Sequence, residues 1–435
     1  MTAAPAKQPL WTKDFVLAFV ASFFVSLVFY LLLTTMALYA AEQFGASETA
    51  SGLAASMFVI GALVTRLFSG NVVDLLGRRR VLVISLVVYV LAALSYLPVE
   101  SVGALLAVRA VHGVAFGFAS TAAVAIGQSL IPAPRRAEGT GYFALSNTIG
   151  TAIGPSLAIF LVDGPGYPAL FVAATVAAAL ALAAALCLRT VDERPSPELR
   201  ARLRRFHPRD MLHPQVLPVA SVILLGAVGY SGVATFLNTY AQERGFERGA
   251  SLFFVVYATV LFTARLFVGR LQDRRGDDVV VYGAIAALVV GLVLLGAARN
   301  DAMVVLAGAF CGLGFGTMMS ALQAVAVSMV PITRVGLAIS THLFMTDLGV
   351  GVGPVVLGAL RGRLDLSEVY LALSGLVALS ALLYHHVHGA ARRRRVAART
   401  DARPERSAVP AEQPVPADDR TRVDEPVAAG AHPSC

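Results

Sequence analysis

Twelve long apolar runs constrain the fold of this chain more than any other feature of its sequence. They lie at residues 15–40, 50–70, 80–99, 102–131, 139–162, 166–188, 215–240, 250–268, 279–298, 302–330, 335–360 and 367–388. A helix of about 20 apolar residues crosses the hydrocarbon core of a bilayer. Charged residues make up only 14% of the chain, compared with about 25% in soluble domains. The sequence therefore predicts an all-α integral membrane protein with twelve transmembrane helices.

Basic residues are distributed unequally between the polar segments that join these runs. If the N-terminus lies inside, 27 of the 35 Lys and Arg residues fall on the cytoplasmic side and five on the opposite side. Basic residues favour the cytoplasmic side of membrane proteins. The first run is too long for a signal peptide and is expected to be a retained helix. We therefore expect both termini in the cytoplasm and a cell (inner or plasma) membrane location, and the net charge of +8 requires no nucleic-acid partner.

The two halves of the chain match each other at an offset of 199 residues. The matched glycine, aspartate and proline pairs are Gly70/Gly269, Asp74/Asp273, Gly77/Gly276, Gly150/Gly349, Gly154/Gly353 and Pro155/Pro354. Parallel repeats of this kind build transporters in which a central site lies between the halves. The repeat predicts two pseudo-symmetric six-helix halves with the same orientation in the membrane.

Charge and composition then divide the chain into five segments. These are a cytoplasmic N-terminus (1–14), an N-terminal six-helix half (15–188), a cytoplasmic interdomain loop (189–214), a C-terminal six-helix half (215–390) and a cytoplasmic tail (391–435). The tail has few large apolar residues and is expected to be disordered. Its first arginines, 392–395, suit a positive-inside anchor or a site for anionic membrane lipids. Three nearby histidines, His385, His386 and His388, suit an interfacial helix end better than a metal site.

A short loop between the second and third runs carries an acid and three arginines at fixed distances from two glycines. Its residues are Gly70, Asp74, Gly77, Arg78, Arg79 and Arg80, and the second half repeats the pattern at Gly269, Asp273 and Gly276. The loop resembles the G-x-x-x-D-x-x-G-R-[RK]-x signature of the major facilitator superfamily. The resemblance covers roughly residues 15–390. It implies that these residues form a conformational latch, which holds the cytoplasmic ends of the two halves together in the outward-facing state.

Two further runs resemble motifs of one branch of that superfamily. The run that begins at Arg109 and His112 resembles its R-x-x-x-G-x-x-x-G motif, and Gly150, Gly154 and Pro155 resemble the G-x-x-x-G-P motif of exporters and antiporters. The run at 132–143 is also similar to exporters of opine-type metallophores. A proline removes a helical hydrogen bond, so Pro155, with Gly353 and Pro354 in the second half, suits either a hinge or seal or a merely structural kink.

Four charged residues lie within the predicted helices, where a charge is costly and marks a candidate functional site. Arg66 and Arg265 are close enough to the loop glycines to reach the interface, and we expect them to serve the latch. Arg109 lies deeper and is expected to line a central cavity and attract an anionic group, unless it forms a buried structural pair. Asp347 is the deepest carboxylate and the best candidate for proton coupling, although an acid that pairs with a neighbouring helix would look the same.

Three polar residues join these charges as candidates for the substrate or proton pathway: His112, His342 and Asn147. Each histidine titrates near neutral pH but could equally be a satisfied polar contact. With Arg109 and Asp347, they favour an anionic or zwitterionic solute over a purely cationic one.

These patterns favour a secondary active transporter over an enzyme. We expect proton-coupled export of a small amphipathic or zwitterionic metabolite or drug by alternating access. The same fold would serve an importer or a facilitator, and a non-transporting scaffold or sensor is an alternative of another class. The sequence contains no P-loop, nucleophile elbow or metal-ligand spacing, so we expect no cofactor and no metal. The family resemblance implies that the protein acts as a monomer.

Overall fold

Capping residues and short turns divide the apolar runs into helices. The structure, a computed structural model, describes residues 9–189, 197, 201, 211–361 and 364–389. Among these residues there are helices and turns but no strand. The predicted N-terminus (in part), most of the interdomain loop and the whole tail lie outside the described residues, as does the side chain of His388.

Seven helices occupy residues 9–189, the described part of the first half of the chain. They are α1 (Lys13–Leu33), α2 (Met36–Phe44), α3 (Glu48–Leu76), α4 (Arg78–Leu94), α5 (Val102–Leu130), α6 (Arg136–Asp163) and α7 (Tyr167–Cys187). Side-chain oxygens of Thr12, Ser47 and Ser101 accept hydrogen bonds from backbone N–H groups at the starts of α1, α3 and α5. Such caps satisfy donors that the first helical turn leaves free.

Six helices occupy the parts of the second half that the structure describes, 211–361 and 364–389. They are α8 (Leu217–Arg244), α9 (Glu247–Arg275), α10 (Asp277–Gly296), α11 (Asp301–Ser328), α12 (Val335–Arg361) and α13 (Leu366–Tyr384). Short 3-10 turns at Ala133–Arg135 and Ile332–Arg334 precede α6 and α12, and a π turn at His385–Gly389 follows α13. Both α6 and α12 continue through their internal prolines.

The helices agree with the predicted all-α membrane fold, with two differences in detail. Eleven helical segments among the described residues are long and apolar enough to cross a membrane. With 17 residues, α4 is shorter than any of these eleven. The first apolar run is broken between α1 and α2. There, the hydroxyls of Thr34 and Thr35 donate to the carbonyl of Leu31, and such side-chain bonds to the backbone compete with a regular helix.

Buried apolar side chains form two clusters. One is built almost entirely by α1–α7 and the other by α8–α13. Between the clusters, α3 packs on α12 and α6 packs on α9, while α5 meets α12 and α6 meets α11. The 199-residue offset matches α3 with α9, α5 with α11 and α6 with α12. The contact of α3 with α12 is therefore equivalent to that of α9 with α6, and the contact of α5 with α12 to that of α11 with α6. The repeat in the sequence is therefore a repeat of helix contacts.

Candidate functional site

Asp74, near the end of α3, contacts the first turn of α12 in the other half of the chain. The backbone N–H groups of Gly336 and Leu337 donate to its two carboxylate oxygens over 2.8 and 3.0 Å. A carboxylate at a helix N-terminus satisfies free donors and interacts favourably with the helix dipole. Gly70 permits this approach, because a Cβ atom there would lie 2.6 Å from the Cα atom of Leu337.

Asp273 makes the equivalent contact from α9. The N–H groups of Ala137 and Glu138, at the start of α6, donate to its two oxygens, each over 2.9 Å. A Cβ atom on Gly269 would lie 2.5 Å from the carbonyl oxygen of Ala137. The acid and the first glycine of each loop therefore make the same contact with the facing helix in both halves.

The second glycine of each loop has a different role. Gly77 and Gly276 have φ values of +97° and +91°, a region that side-chain-bearing residues seldom adopt. They allow α3 to turn into α4 and α9 to turn into α10. Each loop thus needs one glycine for the turn and one for the close approach of a second helix.

The three arginines of the first loop have three different environments. Arg78 donates to the carbonyl oxygen of Ile332, in the other half of the chain. Arg79 donates to the carbonyl oxygen of Leu186 in its own half, over 2.8 Å. Arg80 is exposed. The structure thus brings Arg78, but neither Arg79 nor Arg80, to the contact between the halves.

Glu138 adds an ion-pair network to the second loop contact. Its carboxylate accepts from Arg135 of its own half and from Arg270 of the other half, each over 2.7 Å. Arg270 also donates to the hydroxyl of Tyr142 over 2.8 Å. The sequence patterns did not single out Glu138, since its partner in the other half is a neighbour only in three dimensions.

Arg66 and Asp347 form an ion pair between α3 and α12, deeper in the molecule than the loop contacts. The Arg66 Nε atom donates to the Asp347 carboxylate. The side chain of Arg66 is 5% exposed and that of Asp347 30%, so the acid borders an open space. Eight residues separate Arg66 from Asp74, which is about 12 Å of helix. Our expectation that Arg66 reaches the membrane interface was wrong, because an acid on the facing helix binds it in the interior.

Arg265 occupies the equivalent position on α9 but has a different partner. It donates to the backbone carbonyl of Ala144 on α6. Its Nε atom is buried and has no hydrogen-bond partner among the described residues. The offset of 199 places Thr148 where the first pair has Asp347. Arg265 also remains in the interior, contrary to our expectation of an interfacial position.

Tyrosines connect these two arginine positions. Tyr30 of α1 lies within reach of Asn147 and Thr151 on α6, and it is close enough to Asp347 and Arg265 for electrostatic interaction with both. We call Arg66, Asp347, Arg265, Tyr30 and Asn147 the central cluster. Of the predicted pathway residues, the structure brings Asn147 and Asp347 together here.

An aromatic stack extends the central cluster along α8 and α9. Tyr257 lies near Arg265 and its ring centroid is 5.5 Å from that of Tyr230. Tyr230 in turn lies flat on Phe315, with ring centroids 4.3 Å apart. Our sequence analysis missed Tyr257, although the spacing of eight residues to Arg265 places both on one helix face.

Arg109 lies apart from the central cluster. Its side chain is 1% exposed, and it donates to the carbonyls of Ala54 and Ala55 on α3 over 2.7 and 2.9 Å. Its guanidinium carbon lies 4.9 Å from the ring centroid of Phe58. The expectation that Arg109 lines a central cavity was wrong for this conformation, because α3 packs over it and supplies carbonyl acceptors.

The two histidines are likewise buried and separate from each other. His112 shares a hydrogen bond of 3.1 Å with the hydroxyl of Tyr96, and its ring packs 4.2 Å from that of Tyr89. One ring nitrogen thus makes the polar contact that the sequence left open, while Nε2 is buried without a hydrogen-bond partner among the described residues. His342, on α12, is buried and lies near Arg66 and the backbone of Met319. Among the described residues, its ring nitrogens make no well-formed hydrogen bond.

Glycines of the predicted hinge pack α6 against α1 and α12 against α8. A Cβ atom on Gly154 would lie 2.5 Å from the Cβ atom of Tyr30, and one on Gly349 would lie 2.7 Å from the carbonyl oxygen of Leu224. A Cβ atom on Gly353 would come closer still to the hydroxyl oxygen of Ser231. These contacts stay within each half, and a hinge or seal role for Gly150, Pro155 and Pro354 remains a prediction.

No group of His, Cys, Asp and Glu residues within the described part of the chain is arranged to hold a metal ion. The central cluster instead contains the Arg66–Asp347 ion pair, the guanidinium of Arg265, which has no carboxylate partner among the described residues, and the hydroxyl of Tyr30. Such groups can bind a small polar solute and respond to protons.

Comparisons with known proteins agree with this architecture. The chain is 25% identical over 353 residues to the MFS-type transporter YhhS of Shigella flexneri, which covers 79% of this chain and 85% of YhhS. It is 26% identical over 359 residues to an MFS-type transporter of Burkholderia mallei strain SAVP1, with the same shares covered.

Solved structures show the same fold. The crystal structure of the human organic anion transporter MFSD10 (TETRAN) superimposes with a TM-score of 0.73 at 19% identity, over 86% of this chain and 100% of that one. The proton:xylose symporter XylE, bound to 6-bromo-6-deoxy-D-glucose, gives a TM-score of 0.68 at 15% identity, over 86% and 94%. At such identities, the likeness concerns the fold alone.

A sequence profile described as Major Facilitator Superfamily matches residues 18–299 and 249–418. The profile covers most of the chain, and the helix contacts repeat at the 199-residue offset of the sequence. This chain is therefore a multi-pass membrane transporter protein that belongs to the Major Facilitator Superfamily.

Proposed function

We propose that this protein is a proton-coupled exporter of a small amphipathic or zwitterionic metabolite or drug, which works by alternating access. The ion pair between Arg66 and Asp347 is the observation that carries this proposal. It joins the two halves within the central cluster, and it depends on the charge of one carboxylate. Protonation of Asp347 would neutralise that carboxylate and leave Arg66 without its partner.

Alternating access requires the contacts at one end of the molecule to open while those at the other end close. The contacts that Asp74 and Asp273 make with α12 and α6 hold the loop end closed. We infer that the two six-helix halves, 15–188 and 215–390, move about these contacts, and that the loops act as the latch that the family resemblance implies. Loss of the Arg66–Asp347 attraction would weaken the α3–α12 side of the closed end.

Basic residues place the latch loops, and both termini, on the cytoplasmic side of a cell membrane. The conformation described here is then closed toward the cytoplasm. Export is supported by the resemblance of the run around Gly154 and Pro155 to exporter motifs. Membrane lipids would surround a single copy of the chain, in keeping with the monomeric state that the resemblance implies.

The experiment that tests coupling uses everted membrane vesicles from cells that express the full chain. The vesicles are energised so that their interior becomes acidic, and a panel of amphipathic zwitterions is added while a pH-sensitive dye reports proton release. We expect at least one compound to release protons with the wild type and none to do so with Asp347→Asn, because the amide cannot exchange a proton.

Asp365→Asn is the matched control. Asp365 also pairs with an arginine, Arg244, but both side chains are exposed, by 47% and 43%. Proton release that continues in Asp347→Asn would overturn the assignment of the proton site. Solute flux that ignores the imposed gradient would instead identify a facilitator, and solute that leaves preloaded vesicles together with protons would identify an importer, because the interior of an everted vesicle corresponds to the outside of the cell.

A further inference from the structure

We propose that Arg265 binds the anionic group of the transported solute, which is therefore an organic carboxylate, sulfonate or phosphate, or a zwitterion that carries one. The inference rests on the proposed transport function and names its substrate class. The position of Arg265 in the sequence suggested a role in the latch, and we assign it to the binding site instead.

The comparison of two equivalent positions provides the first argument. Arg66 and Arg265 match in the repeat, and both are buried, with 5% and 7% of the residue exposed. A carboxylate neutralises Arg66, but the position equivalent to Asp347 is occupied by Thr148. Thr148 donates to the carbonyl of Ala144, the same carbonyl that Arg265 contacts. Within this equivalent pair, one guanidinium is thus neutralised and the other has no carboxylate partner among the described residues.

The hydrogen bonds of Arg265 provide the second argument. A guanidinium has five N–H donors in a planar fork that suits two oxygens of an anion. In Arg265, one terminal nitrogen donates to a backbone carbonyl, which carries no net charge. The Nε–H group is buried and unpartnered among the described residues. A buried charge is stable only when it is paired, so a bound anion would complete this position.

The neighbours of Arg265 indicate what the rest of the solute resembles. Tyr257 on α9 and Tyr30 on α1 are both close enough to interact electrostatically with it. The stacked rings of Tyr257, Tyr230 and Phe315 continue from there as an aromatic surface. Aromatic side chains bind flat apolar groups through their faces and polar groups through their hydroxyls. The solute is thus expected to carry an aromatic or apolar body next to its anionic group.

The test compares two probes that differ in charge and little in shape, 4-fluorobenzoate and 4-fluorobenzamide, by fluorine NMR on the detergent-solubilised full chain at neutral pH. We expect the wild type to broaden the line of the acid more than that of the amide. Arg265→Gln should weaken binding of the acid by about tenfold or more, since a hydrogen bond between charged groups is lost. Arg265→Lys keeps the charge without the fork and should give an intermediate loss.

Arg248→Gln is the matched control, because it makes the same substitution at an exposed position of the same helix and should bind the acid as the wild type does. Equal broadening of acid and amide by the wild type would overturn the proposal. So would wild-type affinity for the acid in Arg265→Gln. Since the measurement requires neither a proton gradient nor transport, its result is independent of the coupling experiment.

Discussion

Two equivalent helix pairs pack across the two halves of this protein, α3 on α12 and α9 on α6. Their contacts are the same at the loop end and differ in the interior. At the loop end, Asp74 and Asp273 accept the same pair of backbone hydrogen bonds from the facing helix. About 12 Å deeper, Arg66 binds a carboxylate, while Arg265 binds a carbonyl. The two pairs thus share their backbone contacts and differ in their interior charges.

The difference teaches which parts of a repeat can change. Every helix begins with free N–H groups, so a carboxylate that caps one works in either half whatever side chains lie nearby. An interior guanidinium depends on the identity of one side chain on the facing helix. Symmetry therefore marks the contacts that hold the halves together, and its loss marks the candidate binding site.

Removal of Asp347, the acid of the ion pair with Arg66, should have the largest effect, a loss of stability. Asp347→Ala leaves Arg66 buried without its partner, which costs about 3–5 kcal/mol for a fully buried pair and less here, since Asp347 is 30% exposed. We expect a lower unfolding temperature, measured in a Cys187→Ser/Cys435→Ser background as the temperature at which the buried thiol of Cys311 reacts with a fluorescent maleimide.

The double variant Arg66→Leu/Asp347→Leu is the control for that experiment. Replacement of a buried ion pair by apolar groups is often close to neutral, so much of the lost unfolding temperature should return, while proton release does not. A double variant as unstable as Asp347→Ala would show that the ion pair is not the source of the effect.

Creation of the missing acid should have the next largest effect. Thr148→Asp places a carboxylate at the position equivalent to Asp347 and should satisfy Arg265 from within the protein. We predict about a tenfold loss of 4-fluorobenzoate binding by fluorine NMR, with the fold retained. Thr148→Asn, which adds the same bulk without charge, should bind the acid more tightly than Thr148→Asp. Equal affinities would show that charge at this position does not matter.

Loss of the symmetric contacts should have smaller and matched effects. Asp74→Asn and Asp273→Asn each replace one of the two acceptor oxygens by an NH₂ group and so lose one hydrogen bond, worth about 1 kcal/mol, which corresponds to about a fivefold change in the open population. In a Cys187→Ser background, alkylation of a cysteine introduced by Ser340→Cys should accelerate with Asp74→Asn. Gly141→Cys should report Asp273→Asn in the same way. A large effect of one variant and none of the other would contradict the equivalence of the loops.

The smallest effect is expected for Arg80, because its side chain is exposed and surface substitutions usually change stability by less than about 0.5 kcal/mol. Arg80→Gln should leave the Ser340→Cys alkylation rate unchanged. Arg78→Gln should increase that rate, because Arg78 contacts the carbonyl of Ile332 in the other half. Equal rates in the two variants would remove Arg78 from the contact between the halves.

Prediction from the sequence works best where one residue type at one spacing has one structural outcome. The repeat paired Gly77 with Gly276, and both adopt positive φ, a region that glycine enters readily. Prediction failed for Arg109, because a deep arginine can meet either a cavity or a neighbouring helix. In this structure, Arg109 meets the carbonyls of Ala54 and Ala55.

The sequence by itself determined the all-α membrane fold and the order of its long helices, because the bilayer thickness sets the length of an apolar run, and it determined the two equivalent loops through their spacing. Only the tertiary structure decided the partners of the buried arginines. A guanidinium binds whichever acceptor the facing helix presents, and the facing helix of Arg66 lies 281 residues away in the chain. The difference between a neutralised Arg66 and an open Arg265 is therefore a property of helix packing.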